Sequence, residues 1–158
     1  MTMTRRDALA GLMALPAALS SAAQTANEAQ KPGDEQKAIL GPTVFHWEEM
    51  KPVKNAVGSQ AKLCRQPTAT LDQLEMHVST LNPGEMSHPP HRHVNEELII
   101  LREGVCETLS NGVWVRVEAG SVVFNASNSL HGFRNVGPWT AVYHVINWSP
   151  NKDMAPKS

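Results

Sequence analysis

From Leu71 to Leu81 the chain alternates Leu74, Met76 and Val78 with Gln73, Glu75 and His77. A period of two predicts a half-buried β-strand there. Shorter apolar segments follow the same logic. They predict strands over Thr43 to Trp47, Gln60 to Gln66, Glu96 to Arg102, Val105 to Leu109, Val113 to Val117, Val122 to Phe124, Leu130 to Arg134 and Thr140 to Trp148. Between two of them, Ser110-Asn111-Gly112 carries the strongest short-range hairpin signal in the chain, because Asn-Gly accepts the positive φ angles of a tight turn. Asn82-Pro83-Gly84 reads as a turn by its chemistry, and Trp47 to Lys54 has room for one helical turn. Short strands at even spacing, with almost no helical periodicity, predict an all-β barrel or sandwich.

The 158 residues suffice for one domain and no second core. Part of the chain reads as something other than domain. Arg5 and Arg6, the apolar run Ala8 to Leu19 and the small residues Ser21-Ala22-Ala23 have the order of an export signal. Thr4-Arg5-Arg6-Asp7-Ala8-Leu9 is similar to a twin-arginine signal, with Ala8 where Phe is usual. The run holds Pro16 and falls short of the ~20 residues a bilayer span needs. Residues 1–23 are therefore expected to be a signal peptide, 24–38 a polar flexible linker, and 39–158 a single domain in the periplasm or outside the cell. With 14 basic and 15 acidic residues the net charge is −1, and no block of like charge exists to hold nucleic acid. No further apolar run approaches membrane length. Cys64 and Cys106 match no metal-site spacing, and buried free thiols are expected of them.

Chemistry concentrates in two segments. In residues 83–104, PGEMSHPPHRHVNEELIILREG, His91 and His93 stand one residue apart and Glu97 follows four residues later. On a strand all three share one parity and one face. A second segment, from Gly120 to Asn135, adds His131 in the pattern G-x5-A-x-N-x2-H-x3-N. Three imidazoles and a carboxylate make a shell for one divalent transition metal, with positions left for water or substrate.

The two segments resemble the two signature motifs of the cupin superfamily. Gly84, His91, His93, Glu97 and Gly104 fit the first, G-x5-6-H-x-H-x3-4-E-x6-G. Gly120, His131 and Asn135 fit the second, G-x5-P-x-G-x2-H-x3-N, with Ala126 in place of the proline and Asn128 in place of the glycine. Asn tolerates positive φ better than other non-glycine residues, so the turn is expected to survive. The resemblance implies an antiparallel double-stranded β-helix, a jelly-roll barrel, with His91, His93, Glu97 and His131 as ligands of one metal. It also implies a homodimer, formed by lending an N-terminal strand within residues 39–66 to a partner's sheet, whose open edge invites it. Mixed N/O ligation suits Mn, Fe, Ni, Cu or Zn, and an exposed site would take copper or zinc by affinity. Export of a folded, already loaded protein favours Mn or Fe.

The resemblance leaves the reaction open among dioxygenases, oxalate-degrading enzymes, isomerases and lyases acting on a small oxygen-rich molecule or carboxylate. A non-catalytic metal- or ligand-binding role is the alternative. Three residues are candidates for acid/base or positioning work: His88 before the ligands, and Tyr143 and His144 on the last strand, where one of the two must face inward. His77 shares that ambiguity. His46 is expected at the surface, Glu96 on the face opposite Glu97, and Asn135 in the turn. Phe124, Phe133, Trp114 and Leu130 are expected in the barrel wall or core.

Overall fold

A computed structural model describes residues 38–150. The signal-peptide reading of residues 1–23 and nearly all of the linker fall outside that range. A 3-10 turn, Trp47–Glu49, precedes nine strands: β1 Val53–Asn55, β2 Gly58–Gln66, β3 Leu71–Leu81, β4 Glu96–Glu103, β5 Val105–Ser110, β6 Val113–Glu118, β7 Val122–Asn125, β8 Phe133–Asn135 and β9 Ala141–Pro150. They form a six-stranded sheet in the order β1-β2-β3-β9-β4-β7 and a three-stranded sheet in the order β6-β5-β8. Every pairing is antiparallel. The all-β jelly-roll expectation is met.

Turn chemistry explains the connections. Asn111 and Gly112 both have positive φ, 50° and 81°, as a two-residue hairpin between β5 and β6 requires. Asn128 sits at φ 58°, so the asparagine does take the glycine's conformation in the second motif. Gly104 closes the first motif at φ 98°, where a Cβ would stand 2.9 Å from both Cα and Cβ of Ala141.

Cross-strand partners share a face, so the register fixes what the large sheet turns inward. One row reads Glu75, Asn147, Glu97 and Asn125 across β3, β9, β4 and β7; the next reads His77, Val145, Ile99 and Val123. A third pairs Ser79 with Tyr143 and Tyr143 with Leu101. The core lies between the sheets, where Leu81, Ile99, Leu101, Cys106, Phe133, Ala141 and Tyr143 are buried. Along β3 it is the polar parity, Glu75, His77 and Ser79, that lines the interior cavity. Met76 and Val78 lie on the opposite face, where Val78 pairs with Ala61 and His144.

Several expectations need correction. Thr43 to Trp47 forms no strand, for it has no ladder partner; the edge position goes to β1. Leu130 to Arg134 shrinks to the three residues of β8, and His131 contributes only an isolated bridge. Phe124 and Leu130 are exposed at 54% and 38%, and Trp114 is half-buried, so Phe133 alone of the four aromatic and aliphatic candidates is core. Phe124 stacks on Trp148 at the surface. The thiols of Cys64 and Cys106 are free, the latter fully buried.

Candidate metal centre

His91 and His93 do not share a strand face. Pro89 and Pro90 withhold backbone donors just before them, and β4 begins only at Glu96. His91 is instead fixed by a two-way bridge, its N–H donating to His131 O at 3.0 Å and its carbonyl oxygen accepting from His131 N–H at 3.1 Å. The bridge brings the two motifs together across 40 residues of sequence. Strand parity therefore predicted the right neighbours for the wrong local reason.

One device orients all three imidazoles. The Nδ1 of His91 lies 3.1 Å from Pro89 O, that of His93 2.9 Å from Asn95 O, and that of His131 2.9 Å from Ser129 O. Each carbonyl can only accept, so each Nδ1 carries the proton and each Nε2 presents a lone pair. The ring centroids stand 4.6 Å apart for His91–His131 and His93–His131, and 5.5 Å for His91–His93. Their ligating atoms all lie within 4.8 Å of one another.

Glu97, on β4, stands beside two of the three imidazoles. Its Oε1 is 3.8 Å from His131 Nε2 and its Oε2 3.7 Å from His93 Nε2. Asn125 donates to Oε1 at 3.0 Å and so aims the carboxylate. This asparagine was missed in the sequence, although a polar residue at the inward parity of an otherwise apolar strand signals it.

These residues fit a divalent ion. His131 is 4% exposed, yet its Nε2 has no hydrogen-bond partner. An orphaned buried acceptor of that kind is rare without a reason. Burial pushes the His131 imidazole below its ordinary pKa, against the raising effects of its Ser129 hydrogen bond and of Glu97. Neutral imidazole is the ligating form.

The cluster opens onto a cavity of about 410 Å³. His88 lies at its exposed mouth, its ring centroid 5.6 Å from that of His91. Tyr143 lines the interior, and burial raises its phenol to about 12, with Ser79 and Ser87 opposing. It is a proton donor, not a base, at neutral pH. His144 is the correction: it points out of the barrel, 6.2 Å from the Trp47 ring, which Arg102 caps at 3.8 Å. His77 does line the cavity, as does Glu75. Glu96 and His46 are not among the lining residues. Asn135, 1% exposed, donates to Leu81 O and Trp139 O and accepts from Gly137 N–H. It ties the turn and touches no ligand.

A family model described as a cupin domain matches residues 77–147. No curated protein matches the chain. Solved structures show the cupin fold. A predicted oxalate decarboxylase from Thermotoga maritima is 19% identical, with TM-score 0.57, covering 68% of this chain and 99% of its own. KdgF from Halomonas sp. is 16% identical, with TM-score 0.60, covering 72% and 99%. The polyketide cyclase RemF from Streptomyces resistomycificus is 22% identical, with TM-score 0.56, covering 68% and 80%.

Proposed function

We propose that this chain, whose residues 77–147 match the cupin domain, is an exported metal-dependent enzyme acting on a small oxygen-rich molecule. One observation carries the reading: three Nε2 lone pairs, each set by a backbone carbonyl, converge beside Glu97 on a polar cavity. A divalent ion held by His91, His93, Glu97 and His131 would supply a Lewis acid or redox centre with open positions. Asn125 holds the carboxylate in place. Tyr143 keeps its proton at neutral pH, and His77 and His88 place imidazoles on the same cavity. Those titratable groups favour catalysis over passive binding. The named activities of the structural neighbours diverge and do not choose a reaction.

Mn or Fe is the proposed metal, on the argument that a twin-arginine signal exports the protein folded and already loaded. Elemental analysis of protein purified from its native compartment tests this, with O2 uptake measured next over candidate acids. Full metal occupancy in His91→Ala/His131→Ala would remove the ligand assignment. Periplasmic or secreted location is tested by changing Arg5 and Arg6 together to Lys. The twin-arginine route should then retain folded precursor, whereas undiminished export leaves only an ordinary signal and removes the argument for Mn or Fe. A homodimer is proposed on the open edge strands β1 and β7, flanked by exposed Val53, Val122 and Phe124. Sedimentation showing only monomer at micromolar concentration would exclude it.

A further inference from the structure

Four buried side-chain polar atoms lack a partner among the described residues, and three of them belong to residues lining one cavity: His131 Nε2, His77 Nδ1 and Asn147 Oδ1. A metal would satisfy the first. The other two stand on β3 and β9, Asn147 in the row of Glu75 and His77 in the next inward row. Glu75 and Asn147 are register partners, and Asn147 pairs in turn with Glu97. Glu75 therefore lies two strand spacings from the metal carboxylate, roughly 10 Å between Cα atoms. Its Oε1 is 3.9 Å from His77 Nδ1, too far for a hydrogen bond.

We infer that Glu75, His77 and Asn147 form a second subsite that takes hydroxyl groups, so that the ligand is a small hydroxylated molecule and not a dicarboxylate. The inference rests on the proposed metal site at the cavity's other end. Its chemical basis is the balance of donors and acceptors. A carboxylate and an amide oxygen only accept, and neutral His77 has one donor and one acceptor nitrogen. A hydroxyl both donates and accepts, and it matches all three. A second carboxylate would face Glu75 and Asn147 Oδ1 with no proton between them. No Lys or Arg lines the cavity to offset that. The nearest cations stand on β2 in the same rows and do not line the cavity: Arg65, the register partner of Glu75, sits 3.3 Å from Glu75 Oε2, and Lys62, the register partner of His77, is exposed. Arg65 engages Oε2 and leaves Oε1 free of it.

The test compares 4-hydroxybutyrate with succinate, which share one carboxylate end and differ only in whether the other is a hydroxyl or a carboxylate. Each is titrated calorimetrically into the mature protein loaded with Mn(II), with metal content measured on the same samples. Wild type should bind 4-hydroxybutyrate at least about tenfold more tightly, since like charges placed together across an interface are strongly disfavoured. Glu75→Gln supplies a donor and should erase the preference by tightening succinate. Equal affinities in wild type, an unchanged ratio in Glu75→Gln, or no 4-hydroxybutyrate binding at millimolar concentration would overturn the subsite. If wild type retains no metal, the metal reading fails by itself, and the same ratio and its response to Glu75→Gln, taken on metal-free protein, still decide the subsite.

Discussion

Replacing His131 by leucine should separate stability from metal binding. In metal-free protein the imidazole is 4% exposed with an orphaned Nε2, and leaving a buried polar atom unpaired costs about 1–3 kcal/mol. Leucine removes that penalty. It also removes the Nδ1 hydrogen bond to Ser129 O, worth about 0.5–1.5 kcal/mol; Ser129 is exposed, so its carbonyl turns to water. The sum leaves His131→Leu between about 0.5 kcal/mol less stable and about 2.5 kcal/mol more stable than wild type when metal is absent. Metal reverses the order. At a free concentration of about 100 times its Kd, wild type gains about 2.7 kcal/mol, whereas a variant binding 100-fold more weakly gains only about 0.4. Urea unfolding with chelator and with metal gives the four stabilities required. A variant several kcal/mol weaker in chelator would mean that His131 is a core residue rather than a waiting ligand. Equal metal-induced gains would remove it from the ligand set.

Three further outcomes follow from the same geometry. Gly104→Ala should destabilise by about 2–5 kcal/mol, adding close contact with Ala141 to the strain of positive φ. Gly84→Ala, at φ 79° with open space around it, should lose only about 1–2 kcal/mol; equal losses in urea melts would refute the packing argument. Asn125→Ala should weaken metal binding by about 10–100-fold without unfolding the protein, read by competition with a chromophoric chelator, and unchanged affinity would deny it a role in holding Glu97. His77 is held below its usual pKa, chiefly by burial, with Glu75 and Glu97 opposing and His88 and Lys62 adding slightly. The unfolded chain then binds the extra proton, so this share of stability is full above about pH 6.5 and declines as pH falls toward the folded value. His77→Gln should flatten that acid limb in metal-free protein; an equally steep limb would place the effect elsewhere, with His144, lowered by burial and then by Arg102, the next residue to test.

Much of the fold was legible because local chemistry and global structure agree. The alternation over Leu71 to Leu81 gave β3 with its observed bounds, and Asn111-Gly112 gave the hairpin. Failures came where pairing, not propensity, decides. Thr43 to Trp47 has strand composition and no neighbour to ladder with. The three residues of β1 look unremarkable, yet they pair with β2. Alternation also could not say which parity faces inward. In a barrel with a site at its centre the polar parity of β3 turns in, and its apolar parity covers the outer sheet face. Of the residues at the candidate centre, the four ligand-type side chains carried a spacing signal. Glu75, Asn125 and Asn147 did not, because their proximity to one another is a property of strand order.

That strand order explains why the candidate centre sits where it does. β3, β9, β4 and β7 are far apart in sequence and adjacent in the sheet, so a single row across them carries Glu75, Asn147, Glu97 and Asn125. Irregular backbone then folds over one end of the row to deliver three histidines. The sheet supplies rigidity, and the segments outside it supply the three imidazoles. Backbone carbonyls of Pro89, Asn95 and Ser129 settle the tautomers, so the orientation of each imidazole depends on chain conformation rather than on neighbouring side chains. Side chains lining the cavity can therefore vary the substrate while leaving the donor set intact. The hydroxyl-binding subsite proposed at Glu75, His77 and Asn147 would be one such variation, placed two strands away from Glu97.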